Sequence, residues 1–104
     1  MSNKPERVFI SIDMEGISGI VSGDMTGRDP KEYEYGRKLM AGDLNAAVEG
    51  ALEAGAGEVV VSDAHGRMIN LQPEEVHEAA YLFRGSPKPD MMMAGISDEF
   101  DAAL

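Results

Sequence analysis

The chain of 104 residues carries 9 Lys and Arg against 19 Asp and Glu, with 2 His, no Cys and a formal net charge of −10. Its length is that of one small domain, and its 43% hydrophobic content is typical of a globular protein. The lack of Cys excludes disulfides, thiolate zinc sites and cysteine nucleophiles. Any metal ion must therefore be held by oxygen and imidazole nitrogen.

The negative charge argues against two kinds of partner. A nucleic-acid backbone requires a basic surface that releases counterions, and an anionic membrane surface attracts basic segments. The apolar run at residues 8–12 is too short for a signal peptide or a membrane span. We therefore expect a cytoplasmic protein with no nucleic-acid or membrane partner.

The first predicted elements are a strand, a loop and a long helix. Residues 7–12 are rich in β-branched and aromatic side chains, which is typical of a strand. Four glycines between residues 16 and 27 then indicate a mobile loop. Asp29 and Pro30 predict a helix start, since Asp caps helices and Pro suits the first helical position. One apolar stripe extends this helix toward a left-handed cap at Gly55: Met40, Leu44, Ala47, Val48, Ala51 and Leu52.

A second strand is predicted at residues 58–62, directly after the helix. Its apolar core is continuous rather than alternating, which is typical of a strand covered on both faces. A strand, a long helix and a second strand make a βαβ unit, whose crossover requires the two strands to be parallel. The predicted fold class is therefore α/β, with helices packed on a mainly parallel sheet.

Shorter elements are predicted in the rest of the chain. Residues 73–80 indicate a short helix, residues 81–83 a third strand and residues 86–90 a turn. For residues 91–96 the pattern leaves a helical turn or a strand open. Residues 100–104 resemble the opening of another apolar element. We therefore expect the chain to be a truncated part of a larger α/β domain.

Acidic and histidine side chains follow both strands of the βαβ unit. Asp13 and Glu15 come after the first strand, and Asp63 and His65 lie at the end of the second. Parallel neighbouring strands end at one edge of the sheet, where open α/β folds bind ligands. Two carboxylates and one imidazole suit zinc or manganese better than calcium. Either cluster alone is more typical of an ordinary loop than of a functional site, so their coincidence at one edge carries the prediction of a metal site.

Other candidate groups are weaker. The glycine-containing loop has neither a phosphate-binding Gly-Lys-Ser/Thr ending nor a GxGxxG pattern. His77 lies among acids, and we expect it to be solvated or locally paired rather than a ligand. No Ser lies in a GxSxG context, so an elbow-type serine nucleophile has no support.

Several segments resemble one known family. The string SIDMEGISG at residues 11–19, YGRKLM at 35–40 and VVSDAHG at 60–66 are similar to motifs of the bacterial D-aminopeptidases of the dipeptide-operon type, a zinc metallopeptidase family. Asn-Leu at 70–71 and Arg-Gly at 84–85 extend the resemblance over nearly the whole chain. DMEGISG is long enough to be fairly specific.

This resemblance implies a binuclear zinc site. Asp13 would bridge two zinc ions, and Glu15 and His65 would each bind one of them. A metal-bound hydroxide would attack the peptide carbonyl while the second ion polarises its oxygen. The substrates would be short peptides with an N-terminal D-amino acid, and the enzyme would be a homo-oligomer.

The resemblance also implies that the site is incomplete within these residues. The remaining ligands of the family, a His and a Glu, and its catalytic His are expected beyond Leu104. We therefore predict that residues 1–104 are the N-terminal part of a single α/β metallopeptidase domain, and that they do not turn over substrate alone.

Two alternatives remain open from the residues. A strand followed by DxEG also opens the metal-dependent 3′–5′ exonucleases, although the charge of −10 and the imidazole at position 65 count against that assignment. A non-catalytic metal-binding or interaction module is the other alternative.

Overall fold

The computed structural model of the protein describes residues 5–104, which form one parallel sheet with a long helix on one face. The regular elements are β1 (Arg7–Ile12), α1 (Pro30–Glu53), β2 (Glu58–Asp63), β3 (Ala80–Phe83) and β4 (Ala102–Ala103). The strand order is β3-β2-β1-β4, and every neighbouring pair is parallel. The α/β prediction and the βαβ unit are confirmed.

The core lies between the sheet and α1. In β1 and β2, Val8 pairs with Val59 and Ile10 with Val61, so their side chains share one face. They belong to one buried cluster with residues of the apolar helix stripe, among them Met40, Leu44 and Val48. Complete burial of such a side chain contributes about 1.5–3 kcal/mol. This packing holds β1 and β2 side by side, so both strands end at the same edge of the sheet.

The ends of α1 follow the predicted signals. The Asp29 carboxylate accepts the N–H groups of Lys31 and Glu32 at 3.0 and 3.1 Å, as an N-cap residue does. Gly55, with φ of +105°, takes the left-handed conformation just after the helix. Within residues 5–104, no helix combines the length and the apolar character that crossing a membrane requires.

The second face of the sheet is covered by the segment that follows β3. Phe9 is fully buried and packs edge-to-face against Phe100, with ring centroids 5.6 Å apart. Lys88 is also buried, and its Nζ donates to Ser62 Oγ at 3.0 Å and to the Asp63 carbonyl at 2.7 Å. Desolvation lowers the pKa of Lys88 from its usual 10.5. These bonds fasten the segment to the end of β2.

The structure corrects one of the shorter predicted elements and decides another that the sequence left open. The predicted helix at residues 73–80 is wrong beyond a single 3₁₀ turn at Pro73–Glu75. The reason lies in α1, where the Asn45 side chain donates to the Glu75 carbonyl and accepts the His77 N–H, both at 2.8 Å. These bonds occupy backbone groups that a continuing helix would use. At residues 91–96 the open choice resolves to a 3₁₀ turn at Met91–Met93.

Candidate metal centre

The candidate site lies at the carboxyl edge of the sheet, where β1 and β2 end side by side. Ile12 is paired with Asp63 in the last step of the ladder, and the Ala64 N–H still donates to the Ile12 carbonyl at 2.8 Å. Asp13 follows β1 directly, and His65 lies two residues beyond the end of β2. The parallel pairing therefore brings together residues that are 52 positions apart in the sequence.

Asp13, Glu15 and His65 converge on one point. His65 Nδ1 lies 2.8 Å from Asp13 Oδ1 and 3.2 Å from Glu15 Oε1. One potential ligand atom from each residue lies within 4.8 Å of the other two. The His65 side chain is mostly buried, at 14% exposure, whereas the Glu15 side chain is 63% exposed. The structure thus brings together the three residues that the sequence predicted.

The contacts within the cluster shift the pKa values of His65 and Asp13. Desolvation by itself would lower the pKa of His65, but its contacts with the Thr26 carbonyl, Asp13 and Glu15 outweigh it and raise the pKa above 6.5. Desolvation would likewise raise the pKa of Asp13. Hydrogen bonds from the Met14 N–H and His65 outweigh that effect and hold the pKa below 3.8. Without a metal ion, the cluster therefore stabilises the protonated, positively charged form of His65 between the two carboxylates.

The other ring nitrogen of His65 is held by the loop between β1 and α1. His65 Nε2 lies 2.7 Å from the Thr26 carbonyl oxygen, which can only accept a hydrogen bond. Nε2 therefore carries a proton, and Nδ1 is the nitrogen that faces the carboxylates. A backbone carbonyl that fixes the second nitrogen is a common partner of metal-binding histidines. The glycine-containing loop does lie beside the site, and its mobility stays a prediction.

A buried network supports the turn that carries His65. Asp63 is fully buried, and its carboxylate accepts the N–H groups of Asn70 and Leu71 at 2.7 and 2.8 Å. Asn70 Nδ2 donates to Asp63 Oδ1 at 2.8 Å and to the His65 carbonyl at 2.6 Å. The Tyr33 hydroxyl donates to Asn70 Oδ1 at 2.5 Å. The network connects α1, the end of β2 and the candidate ligand.

Sequence reasoning missed part of this arrangement. Thr26 acts through its backbone carbonyl, which has no signature in the sequence. In the sequence, only the family resemblance points to Asn70. A further signal is its position, because it is a polar residue next to the apolar Leu71 and lies shortly after the Asp-x-His pattern at residues 63–65. His77 lies apart from the cluster and is paired with Glu49 at 2.6 Å, so its predicted local pairing is confirmed.

Two cavities adjoin the cluster, and Thr26 of the loop borders both of them. One, of about 250 Å³, is bordered by Glu15 and the loop up to Thr26. The other, of about 320 Å³, is bordered by Thr26, Tyr33, His65 and Arg67. The first cavity is bordered by Glu15 and the second by His65, so a molecule bound in either one would lie next to one candidate ligand.

The donor set fits zinc. Tetrahedral ligands about 2.1 Å from zinc lie about 3.4 Å apart. His65 Nδ1 lies 2.8 Å from Asp13 and 3.2 Å from Glu15, so a bound ion requires these atoms to separate by only a few tenths of an ångström. A cation bound there would replace the proton on Nδ1 and neutralise the adjoining carboxylates. Three protein groups leave coordination positions for water, substrate or further protein ligands.

Comparisons with known proteins place this chain in a family. A profile of the peptidase family M55, described as D-aminopeptidase, matches residues 7–104. A D-aminopeptidase from Bacillus subtilis (strain 168) is 38% identical over 98 residues, which are 94% of this chain and 36% of that protein. The solved structure of the Zn-dependent D-aminopeptidase DppA from Bacillus subtilis, a self-compartmentalizing protease, matches with a TM-score of 0.91 and 38% identity, again over 94% of this chain and 36% of that one. The chain therefore spans little more than a third of the length of these relatives. Because the match extends over nearly all of its residues, the chain belongs to the M55 D-aminopeptidase family.

Proposed function

We propose that this chain serves in a zinc-dependent D-aminopeptidase that hydrolyses short peptides with an N-terminal D-amino acid. The observation that carries the proposal is the convergence of Asp13, Glu15 and His65 on one point at the sheet edge. The family membership and the zinc-dependent relative support the metal and the reaction class. Zinc, when bound, would supply a Lewis acid for peptide hydrolysis.

Each residue of the cluster has a role that follows from its contacts. His65 would bind through Nδ1, because Nε2 is held by the Thr26 carbonyl. Asp13 uses Oδ1 for the Met14 N–H and His65, while no N–H group within residues 5–104 donates to Oδ2. This second oxygen supports the proposal that Asp13 bridges two zinc ions. Glu15 is exposed enough to move toward a bound ion.

The proposal extends to the domain that contains these residues and to the assembly of the protein. One sheet and one core support the proposal that residues 1–104 form one part of a single α/β metallopeptidase domain. The self-compartmentalizing assembly of the relative supports a homo-oligomer. Cytoplasmic location and the inactivity of these residues alone remain predictions.

Zinc titration of the metal-free protein tests the site directly. We expect calorimetry to detect zinc binding that falls at least about tenfold in affinity in Asp13→Ala and in His65→Ala, since each removes a ligand. His77→Ala is the matched control, because it removes a histidine paired with a carboxylate outside the cluster. A stoichiometry above one ion per chain would support the bridging role of Asp13. Unchanged affinity in both cluster variants would refute the site.

A chimera tests the reaction. Residues 7–104 would replace the matching region of the Bacillus subtilis enzyme, to which they are 38% identical. We expect the chimera to release D-alanine from D-alanyl-D-alanine in the presence of zinc, and to lose this activity with Asp13→Ala. A folded, zinc-loaded chimera without peptidase activity would contradict the proposal.

A further inference from the structure

We propose that Arg67 binds the C-terminal carboxylate of a short peptide whose scissile bond lies at the cluster of Asp13, Glu15 and His65. The inference rests on the proposed function and deepens it, since it specifies a substrate with a free carboxylate close to the cleaved bond. It follows from the cavity, from the turn that carries Arg67 and from the charge of the surroundings.

The cavity of about 320 Å³ borders both the candidate ligand His65 and Arg67. Its volume is at the lower end of the range of ligand pockets, which favours a small molecule over a long peptide. Ile69, whose side chain is 46% exposed, also borders this cavity and offers an apolar contact. A ligand in this cavity can therefore contact His65, an apolar side chain and a guanidinium together, with the carboxylates of the cluster on the other side of the His65 ring.

The turn from His65 to Met68 sets the distance between the two groups. The Met68 N–H donates to the His65 carbonyl at 2.8 Å, and the Gly85 N–H donates to the Met68 carbonyl at 2.5 Å. Asn70 Nδ2 adds a bond of 2.6 Å to the same His65 carbonyl. Arg67 thus lies on a turn held from several sides. Two residues of chain span at most about 7 Å, so the backbones of His65 and Arg67 are close enough for one short peptide to contact both side chains.

Arg67 is exposed and has no carboxylate partner in the part of the chain that the structure describes. By contrast, Arg7 pairs with Glu58 and Glu99, and Arg37 pairs with Glu34 and Glu75. Arg28 and Arg84 also lack a carboxylate partner within residues 5–104, but neither borders this cavity. An unpaired guanidinium beside a cavity gives an anion a local point of attraction in a chain whose net charge of −10 otherwise repels it. The planar fork of Arg matches a carboxylate through two parallel hydrogen bonds.

Nuclear magnetic resonance of the full chain in EDTA tests this assignment without zinc. The probes are D-alanyl-D-alanine and its C-terminal amide, and the signal is the Nε–Hε resonance of Arg67. We expect the acid to bind at least about tenfold more tightly than the amide, because only the acid offers a charged acceptor. The Arg67 resonance should shift with the acid alone.

Variants complete the test. Arg67→Ala should abolish the difference between acid and amide, and Arg67→Lys should recover part of it, since Lys keeps the charge and loses the fork. Arg28→Ala, which removes another exposed arginine, should keep the full difference. Equal affinity for acid and amide, unchanged discrimination in Arg67→Ala, or no binding of the acid would each overturn the assignment. Because zinc is absent, failure here is distinguishable from failure of the proposed metal site.

Discussion

Gly36, in the second turn of α1, lies directly against the carbonyl oxygen of Met25, with no space for a side chain between them. A Cβ at this position would overlap that oxygen and would also come within 2.9 Å of Met14 Cε. Met25 adjoins Thr26, whose carbonyl holds His65. The close contact between helix and loop therefore supports the orientation of a candidate metal ligand.

We predict that Gly36→Ala destabilises the protein by about 1–3 kcal/mol, the usual cost of overpacking a filled site. The loop must shift to accommodate the methyl group, so zinc affinity should fall as well. Chemical denaturation and zinc calorimetry measure the two effects.

Gly42→Ala is the matched control for this prediction. Gly42 lies in the same helix, is exposed, and a Cβ there would meet no atom within 4 Å. Because Ala is the better helix former, this variant should gain about 0.5–1 kcal/mol. Equal effects of the two substitutions on stability would contradict the steric role of Gly36.

The support of His65 by Asn70 leads to a second prediction. Asn70→Ala removes the bonds from Nδ2 to Asp63 and to the His65 carbonyl, and it leaves the Tyr33 hydroxyl without its acceptor. We expect a loss of about 2–4 kcal/mol in the free energy of unfolding, since buried partners remain unsatisfied. Zinc affinity should fall even under conditions where the variant is fully folded.

Asp98→Ala provides the comparison for this variant, because Asp98 is an exposed polar residue distant from the cluster in the sequence. Its stability should change by less than about 0.5 kcal/mol. If Asn70→Ala were folded and bound zinc as tightly as the unmodified protein, the supporting role of Asn70 would be wrong.

In metal-free protein, the contact between His65 and Asp13 makes stability depend on pH in a defined direction. The folded state raises the pKa of His65 above 6.5, so its stabilising effect is complete below pH 6.5 and is lost as the pH rises through the folded-state pKa. The folded state lowers the pKa of Asp13 from 3.8, so its effect is present above pH 3.8 and is lost as the pH falls through the folded-state pKa. We therefore expect the stability difference between the protein and His65→Ala in EDTA to shrink as the pH rises above 6.5.

Zinc should reverse this trend, because it binds only the unprotonated Nδ1 of His65. The increase in Tm on adding zinc should grow over the same rise in pH. Ring resonances of His65 give its pKa directly, and Asp13→Asn should lower that pKa. A His65 pKa at or below 6.5 in the metal-free protein would contradict the charge arrangement.

Elements with local signals were predicted well from the sequence. β1, α1 and β2 combine propensity, periodicity and end signals within one segment, so each is specified by its own residues. The helix predicted at residues 73–80 failed because Asn45, about 30 residues away, takes its backbone groups. A competing hydrogen bond from a distant element leaves no trace in the segment that it changes.

The sequence alone predicted which ligand atoms are available and at which edge of the sheet they lie. The absence of Cys left oxygen and imidazole, and the βαβ crossover required that Asp13 and His65 lie at the same end of parallel strands. Only the tertiary structure decided that His65 Nδ1 faces both carboxylates, that Thr26 holds the opposite nitrogen and that Arg67 borders the adjoining cavity. Strand direction is determined by local pattern and chain connectivity. The orientation of a side chain is determined by contacts across 39 to 52 residues of sequence, which exist only once the chain has folded.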